Sequence, residues 1–128
     1  NYPFPSICKR ILQNKDKKRF TVWGSGNQMR DFIHIDDCVY GVIKSMNKID
    51  NGDPLNLSNG IFLNFKDFAK KTAKIIGYNP KVVGTTNKPE GVFARAGDTS
   101  KQKQFGIKYK ITLENGIKKS LKFLDNKL

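Results

Sequence analysis

The run Val22-Trp23-Gly24-Ser25-Gly26-Asn27-Gln28-Met29-Arg30-Asp31-Phe32-Ile33-His34-Ile35-Asp36-Asp37 decides the fold class. Its first two residues end a β-branched and aromatic stretch, Phe20-Thr21-Val22-Trp23, which reads as a strand. Gly24-Ser25-Gly26-Asn27 closes that strand in a turn, and residues 30–35 resume an extended, apolar-rich run. Asp36 and Asp37 then offer capping carboxylates to a helix whose apolar stripe is Val39, Val42, Ile43 and Met46. Strand, glycine turn, strand and helix in this order indicate a mixed α/β chain.

The flanks agree. Upstream, Phe4, Ile7, Cys8 and Ile11 recur at helical spacing and predict a short helix ending near Asn14. Downstream, Asn51-Gly52-Asp53-Pro54 is a turn and Leu55-Asn56-Leu57 a short strand candidate. Asn64, with Asp67 three places on, predicts the cap of a helix striped by Phe65, Phe68, Ala69, Thr72 and Ile76 and stopped by Gly77. Lys81-Val82-Val83 is a further strand candidate, and Lys88-Pro89-Glu90-Gly91 lies in irregular chain. Residues 99–104 predict a helical turn ended by Gly106, and Thr112 caps a last helix carrying Leu113, Ile117, Leu121 and Leu124. The strands are too few for a complete doubly wound sheet, and there is no internal repeat.

A chain of 128 residues with 38% apolar content makes about one domain with a real core. No apolar run approaches the roughly 18 residues needed to cross a bilayer, so no membrane role is expected. The chain opens on Asn1 and Tyr2-Pro3-Phe4-Pro5, which reads like mid-protein sequence, and a piece of something longer is expected. The net charge of +13 rests on 24 basic residues. Four of these are arginines (Arg10, Arg19, Arg30, Arg95) and the rest are lysines scattered along the chain, the pattern of a solvated surface. A small basic nucleic-acid-binding module is the alternative that this charge keeps open. Cys8 and Cys38 both fall on apolar faces of helix candidates, as free buried thiols do, although spacing alone leaves a disulfide open. Two cysteines and the single histidine, His34, cannot close a structural zinc site.

The opening run resembles the glycine-turn, arginine and extended-segment block of the extended short-chain dehydrogenase/reductase family. That family comprises the nucleotide-sugar epimerases, 4,6-dehydratases and GDP-fucose synthases. Further blocks follow in family order: Asn56-Leu57-Ser58-Asn59-Gly60; Phe68-Ala69 with Ile75-Ile76-Gly77-Tyr78; Lys88-Pro89-Glu90-Gly91-Val92 with Arg95 and Asp98-Thr99-Ser100-Lys101; and Phe105-Gly106-Ile107 with Leu113-Glu114-Asn115-Gly116-Ile117. The block at residues 88–91 is most similar to GDP-fucose synthases and GDP-mannose 3,5-epimerases. The former usually carry the arginine one place earlier, where this chain has Ala94; the latter place it as here.

The resemblance implies a small C-terminal substrate-binding portion over residues 1–128, belonging to an extended Rossmann-type enzyme. It further implies an N-terminal domain, absent from this chain, that binds NAD or NADP. The family's GxxGxxG does not occur here. Tyr40 and Lys44 have the Tyr-x-x-x-Lys spacing but lie in the wrong helix, so they read as a helix-surface coincidence. No catalytic, cofactor-binding or metal-binding residue is therefore expected in this chain. The substrate is expected to be a nucleoside-diphosphate sugar, GDP-linked by the similarity at residues 88–91. Arg30 and Arg95 resemble the family's diphosphate-binding arginines, and a guanidinium fork suits phosphate oxygens. Asp98 could accept from a ribose diol or cap the turn that follows it. Val22 and Trp23 are candidates for an apolar wall against the base; His34 reads as structural. The stripe Val39, Val42, Ile43, Met46 and the strand candidate at Leu55 are expected to pack on the missing nucleotide-binding sheet. A cytoplasmic homodimer is the expected full-length assembly.

Overall fold

The computed structural model describes residues 2–85 and 87–126. Pro3 and Pro5 suit the first turn of a helix, where a missing N–H costs nothing, and helix α1 runs Pro3–Gln13. Strand β1 (Arg19–Trp23) follows, then a two-residue strand β2 (Met29–Arg30) beyond the glycine turn. Helix α2 (Ile35–Met46), strand β3 (Leu63–Asn64), helix α3 (Phe65–Ile75) and strand β4 (Lys81–Thr85) come next. Strand β5 (Ala94–Arg95), helix α4 (Ser100–Gln104) and helix α5 (Leu113–Asp125) complete the order. The chain is mixed α/β, as its pattern predicts.

Two small sheets result. β1 and β4 pair in parallel from Arg19↔Lys81 to Trp23↔Thr85. β2 lies between β3, antiparallel, and β5, parallel. Helix α3 touches both strands of the first sheet as well as α1 and α5, so it forms the middle of the core. Phe68, Ile11 and Ile117 are fully buried there, with Phe20 and Val22 contributed by β1. The rings of Phe4, Phe32 and Phe68 meet at centroid distances of 4.8–5.4 Å, a range in which aromatic pairs attract beyond their area burial. Cys8 sits in this core, and burial pushes its thiol up to about 12; Cys38 is half-buried, and both cysteines are free.

The Asn64 cap forms as the spacing predicts. Asn64 Oδ1 accepts from the Asp67 N–H at 2.8 Å, while its Nδ2 donates to Asp67 Oδ2 at 2.8 Å. Asn64→Ala should therefore cost about 1 kcal/mol of stability. Urea unfolding should show a lower midpoint at unchanged slope. Thr112 Oγ1 likewise accepts from Asn115 N–H at 3.2 Å.

Three expectations are corrected. The extended run at residues 30–35 pairs only at Met29–Arg30, because Ile35 already belongs to α2. That helix is capped by His34, whose Nδ1 accepts the Asp36 N–H at 3.2 Å, and not by Asp36 or Asp37. The buried Asp37 carboxylate instead accepts the N–H groups of Lys110 and Ile111 at 3.1 and 2.9 Å. Residues 55–57 form no strand, because a side chain takes the place of a partner strand at Ser58. Gln102 accepts the Ser58 N–H at 3.0 Å and donates to its carbonyl at 2.7 Å.

The α2 stripe is exposed: Val39 48%, Val42 47%, Ile43 60% and Met46 68%. The helix buries only Asp37 and Gly41. Gly41 is small for a reason, since a Cβ there would stand 2.8 Å from Leu57 Cδ2.

Candidate functional site

Two neighbouring loops build the site, one ahead of each strand of the parallel β2–β5 pair. The first is the turn at residues 24–26, where Gly24 and Gly26 take φ of 66° and 75°, a conformation that a Cβ disfavours. The second is the irregular segment at residues 88–91. Ser25 Oγ donates to the Glu90 carboxylate, and Gln28 Nε2 donates to the carbonyls of Trp23 at 3.2 Å and Glu90 at 3.1 Å. These bonds hold the loops together although more than 60 residues separate them.

Beside them lies a cavity of about 120 Å³ lined by Val22, Trp23, Gln28, Arg30, Pro89 and Glu90, among others. Trp23 is 44% exposed and offers a ring face, with the Lys88 ammonium 5.9 Å from its centroid. Val22 is buried and reaches this cavity from the core side.

The second cavity, about 340 Å³, is lined by Arg30, Asp31, Ser58, Arg95 and Gly97 with their neighbours. Here the register of the small sheet matters: Arg30 and Arg95 are direct partners across the parallel β2–β5 pair. Partners in register leave a sheet on one face, and two like charges there repel unless an anion joins them. No carboxylate among the described residues neutralises either arginine. Asp31 is committed elsewhere, accepting from Ser58 Oγ and from the N–H groups of Asn59 at 3.1 Å and Gly60 at 2.8 Å. Asp36 faces Lys119 Nζ at 3.3 Å. Arg30 donates to the Met29 carbonyl at 2.7 Å and lies 5.4 Å above the Phe65 ring, which orients it without cancelling its charge. Arg95 is exposed. Arg30 lines both cavities.

The other sequence candidates fall elsewhere. Asp98 accepts from Ser100 N–H at 2.8 Å and Ser100 Oγ at 2.7 Å, and these bonds hold its carboxyl below the usual range. It thereby ties down the first residue of α4, whose N-cap position is Thr99, and it lines neither cavity. His34 is the α2 cap described above. Lys44 Nζ stands 5.8 Å over the Tyr40 ring on the surface of α2, a local contact within one helix. Four residues overlooked in the sequence also border the site: Arg10, Gln28, Lys88 and Glu90. Arg10 reaches β1, donating to the Thr21 carbonyl at 2.6 Å. Its only sequence signal was a lone arginine off the apolar stripe of α1.

A profile of the NAD dependent epimerase/dehydratase family matches residues 4–59. The GDP-L-fucose synthase of Escherichia coli is 32% identical over 138 residues, covering 98% of this chain and 43% of that protein. The chain belongs to the NAD-dependent epimerase/dehydratase family. Its place there is that of an extended short-chain dehydrogenase/reductase. A putative GDP-L-fucose synthase 2 of Arabidopsis thaliana is 27% identical, with 98% of this chain and 39% of the relative covered. Among solved structures, the GDP-mannoheptose C4 reductase of Campylobacter jejuni with NADP bound superposes with a TM-score of 0.79 at 27% identity. That match covers 98% of this chain and 45% of the reductase. The chain thus spans about two-fifths of the length of the curated relatives it matches.

The epimerase/dehydratase family takes its name from a nicotinamide cofactor, and the turn at residues 24–26 does not fit one. Pyrophosphate of a dinucleotide is held by a glycine loop opening a helix. In this chain the turn at residues 24–26 leads instead into the strand Met29–Arg30.

Proposed function

We propose that the complete protein is an NAD(P)-dependent epimerase, dehydratase or reductase acting on a nucleoside-diphosphate sugar, GDP-linked. This chain, residues 1–128, is its C-terminal substrate-binding portion. The observation that carries the reading is the register pair Arg30↔Arg95, two unneutralised guanidinium groups on one face of a small sheet and both lining one cavity. A diphosphate supplies the negative charge such a pair lacks, in a geometry that guanidinium forks match. The GDP-sugar enzymes among the relatives support the base. NAD or NADP is held by an N-terminal domain outside this chain, and the chemistry takes place there. The exposed stripe of α2 docks on that domain, and the whole enzyme is a cytoplasmic homodimer. The role of this portion is to supply binding energy from the nucleotide end and so to orient the sugar.

Calorimetric titration of the complete protein with GDP-, UDP- and dTDP-linked sugars tests this. Saturable 1:1 binding of a GDP-sugar is expected, tighter than that of the other two. Failure of every sugar nucleotide to bind, beside binding of nucleic acid that weakens steeply with salt, would replace this reading with the basic-module alternative.

A further inference from the structure

Asn-Gly pairs occur at residues 51–52, 59–60 and 115–116. An asparagine followed by glycine loses its side-chain amide most readily, because no Cβ hinders attack by the next backbone nitrogen. The attack needs that N–H free to give up its proton and the peptide free to turn towards the amide carbon. Two of the pairs are denied both conditions. Gly60 N–H donates to Asp31 Oδ2 at 2.8 Å, and a carboxylate acceptor opposes its deprotonation. Asn59 is held as well, its N–H on Asp31 Oδ1 at 3.1 Å and its Nδ2 on the Phe32 carbonyl at 3.4 Å. Gly116 is buried within α5, where its N–H donates to the Thr112 carbonyl at 2.9 Å and the helix fixes the peptide.

Gly52 differs on each count. Its N–H has no hydrogen-bond partner among the described residues, and nothing stands within 4 Å of the place a Cβ would occupy. Asn51, Gly52 and Asp53 are all exposed. Asn51 Oδ1 accepts the Asp53 N–H at 3.1 Å, which draws electron density away from the amide carbon. We propose that Asn51 is a site of spontaneous deamidation, selected by the fold over Asn59 and Asn115. The Gly52 nitrogen attacks Asn51 Cγ, a bond forms between them, and the Cγ–Nδ2 bond breaks. Ammonia leaves with the Gly52 proton. Water then opens the cyclic imide at either carbonyl, giving aspartate or isoaspartate, so the net change is hydrolysis of an amide to a carboxylate. Either product sets a new carboxylate between Asp50 and Asp53. Isoaspartate also adds a methylene to the backbone of a turn that Lys101 ties down, through the Pro54 carbonyl at 3.0 Å and Asp53 at 3.4 Å.

The test holds the complete protein in mildly alkaline buffer at physiological temperature and follows it by mass spectrometry, with fragmentation to locate each change. Asn51 should gain the amide-to-acid mass difference at least about tenfold faster than Asn59 or Asn115, whose reactions wait on local opening. In urea that protection is lost, and the three rates should come within about threefold of one another. An isoaspartyl methyltransferase supplied with labelled S-adenosylmethionine should label the aged native protein. Asn51→Gln closes a larger ring slowly, so this variant, exposed and expected to melt with the wild type, should lose most of the label. An Asn51 that stays intact, or label that persists in Asn51→Gln, would overturn the proposal. So would a ranking in urea equal to that in the native protein, since the selection would then belong to local sequence and not to the fold.

Discussion

Replacing Arg30 or Arg95 by alanine in the complete protein weakens sugar-nucleotide binding by about 1.5–3 kcal/mol each, the usual worth of a charged hydrogen bond. That is roughly tenfold to a hundredfold in Kd. The two sites should differ in what else they lose. Arg95 is exposed and forms no ion pair among the described residues, so its alanine variant should melt with the wild type. Arg30 also lies over Phe65 and bonds the Met29 carbonyl, so its variant should lose a little stability alongside affinity. Lysine at either place should restore part of the affinity, since it keeps the charge and loses the fork. If both arginines grip one diphosphate, the double variant should fall short of the summed losses, since neighbouring residues couple. KM should rise, and kcat should fall to the extent that remote binding orients the sugar. Calorimetry on each purified variant checks this. Unchanged affinity in both, with the fold intact, would place these arginines outside the site.

What could be read in the sequence was local. The caps at Asn64 and Thr112 and the stops at Gly77 and Gly106 are written within a few residues of where they act, and they appear in the structure. The Phe20-to-Trp23 strand and the exposed stripe of α2 are equally local patterns. What was lost depended on a distant partner. Residues 55–57 read as a strand from their alternation, yet the Ser58 backbone is satisfied by the amide of Gln102, 44 residues away. Asp37 read as a cap and became the acceptor for the chain entering α5. The pairing of Arg30 with Arg95 is of the same kind. Two residues of β5 inside an irregular stretch carry no periodicity, so only the resemblance to a known family pointed to them. The register that sets them side by side is a tertiary fact. Gln28, central to the smaller cavity, looked like one more polar residue after a turn.

The second large effect concerns a glycine whose requirement is space. Gly84, in β4, has no positive φ, but a Cβ built on it would stand 2.3 Å from the Ser25 carbonyl oxygen and 2.7 Å from that of Gly24. Both obstacles are backbone, so no side chain can turn aside, and Gly84→Ala must drive the turn at residues 24–26 away from β4. The Thr85 N–H bond to the Gly24 carbonyl, 2.7 Å, is stretched in the process, as is the lacing from Ser25 to Glu90. Overpacking against backbone together with a lost hydrogen bond should destabilise the protein by about 3 kcal/mol. For a chain of this size that is a fall in Tm of roughly 10 °C. Because the same turn carries Trp23 into Arg30, the variant should also bind sugar nucleotide more weakly. Gly77→Ala is the control. At φ 71° with nothing within 4 Å of the added Cβ, it strains only the end of α3. It should cost about 1 kcal/mol and leave affinity unchanged. Thermal melts and titrations of the pair separate the two effects. A Gly84→Ala protein that melts and binds like the wild type would mean that the turn is not held against β4.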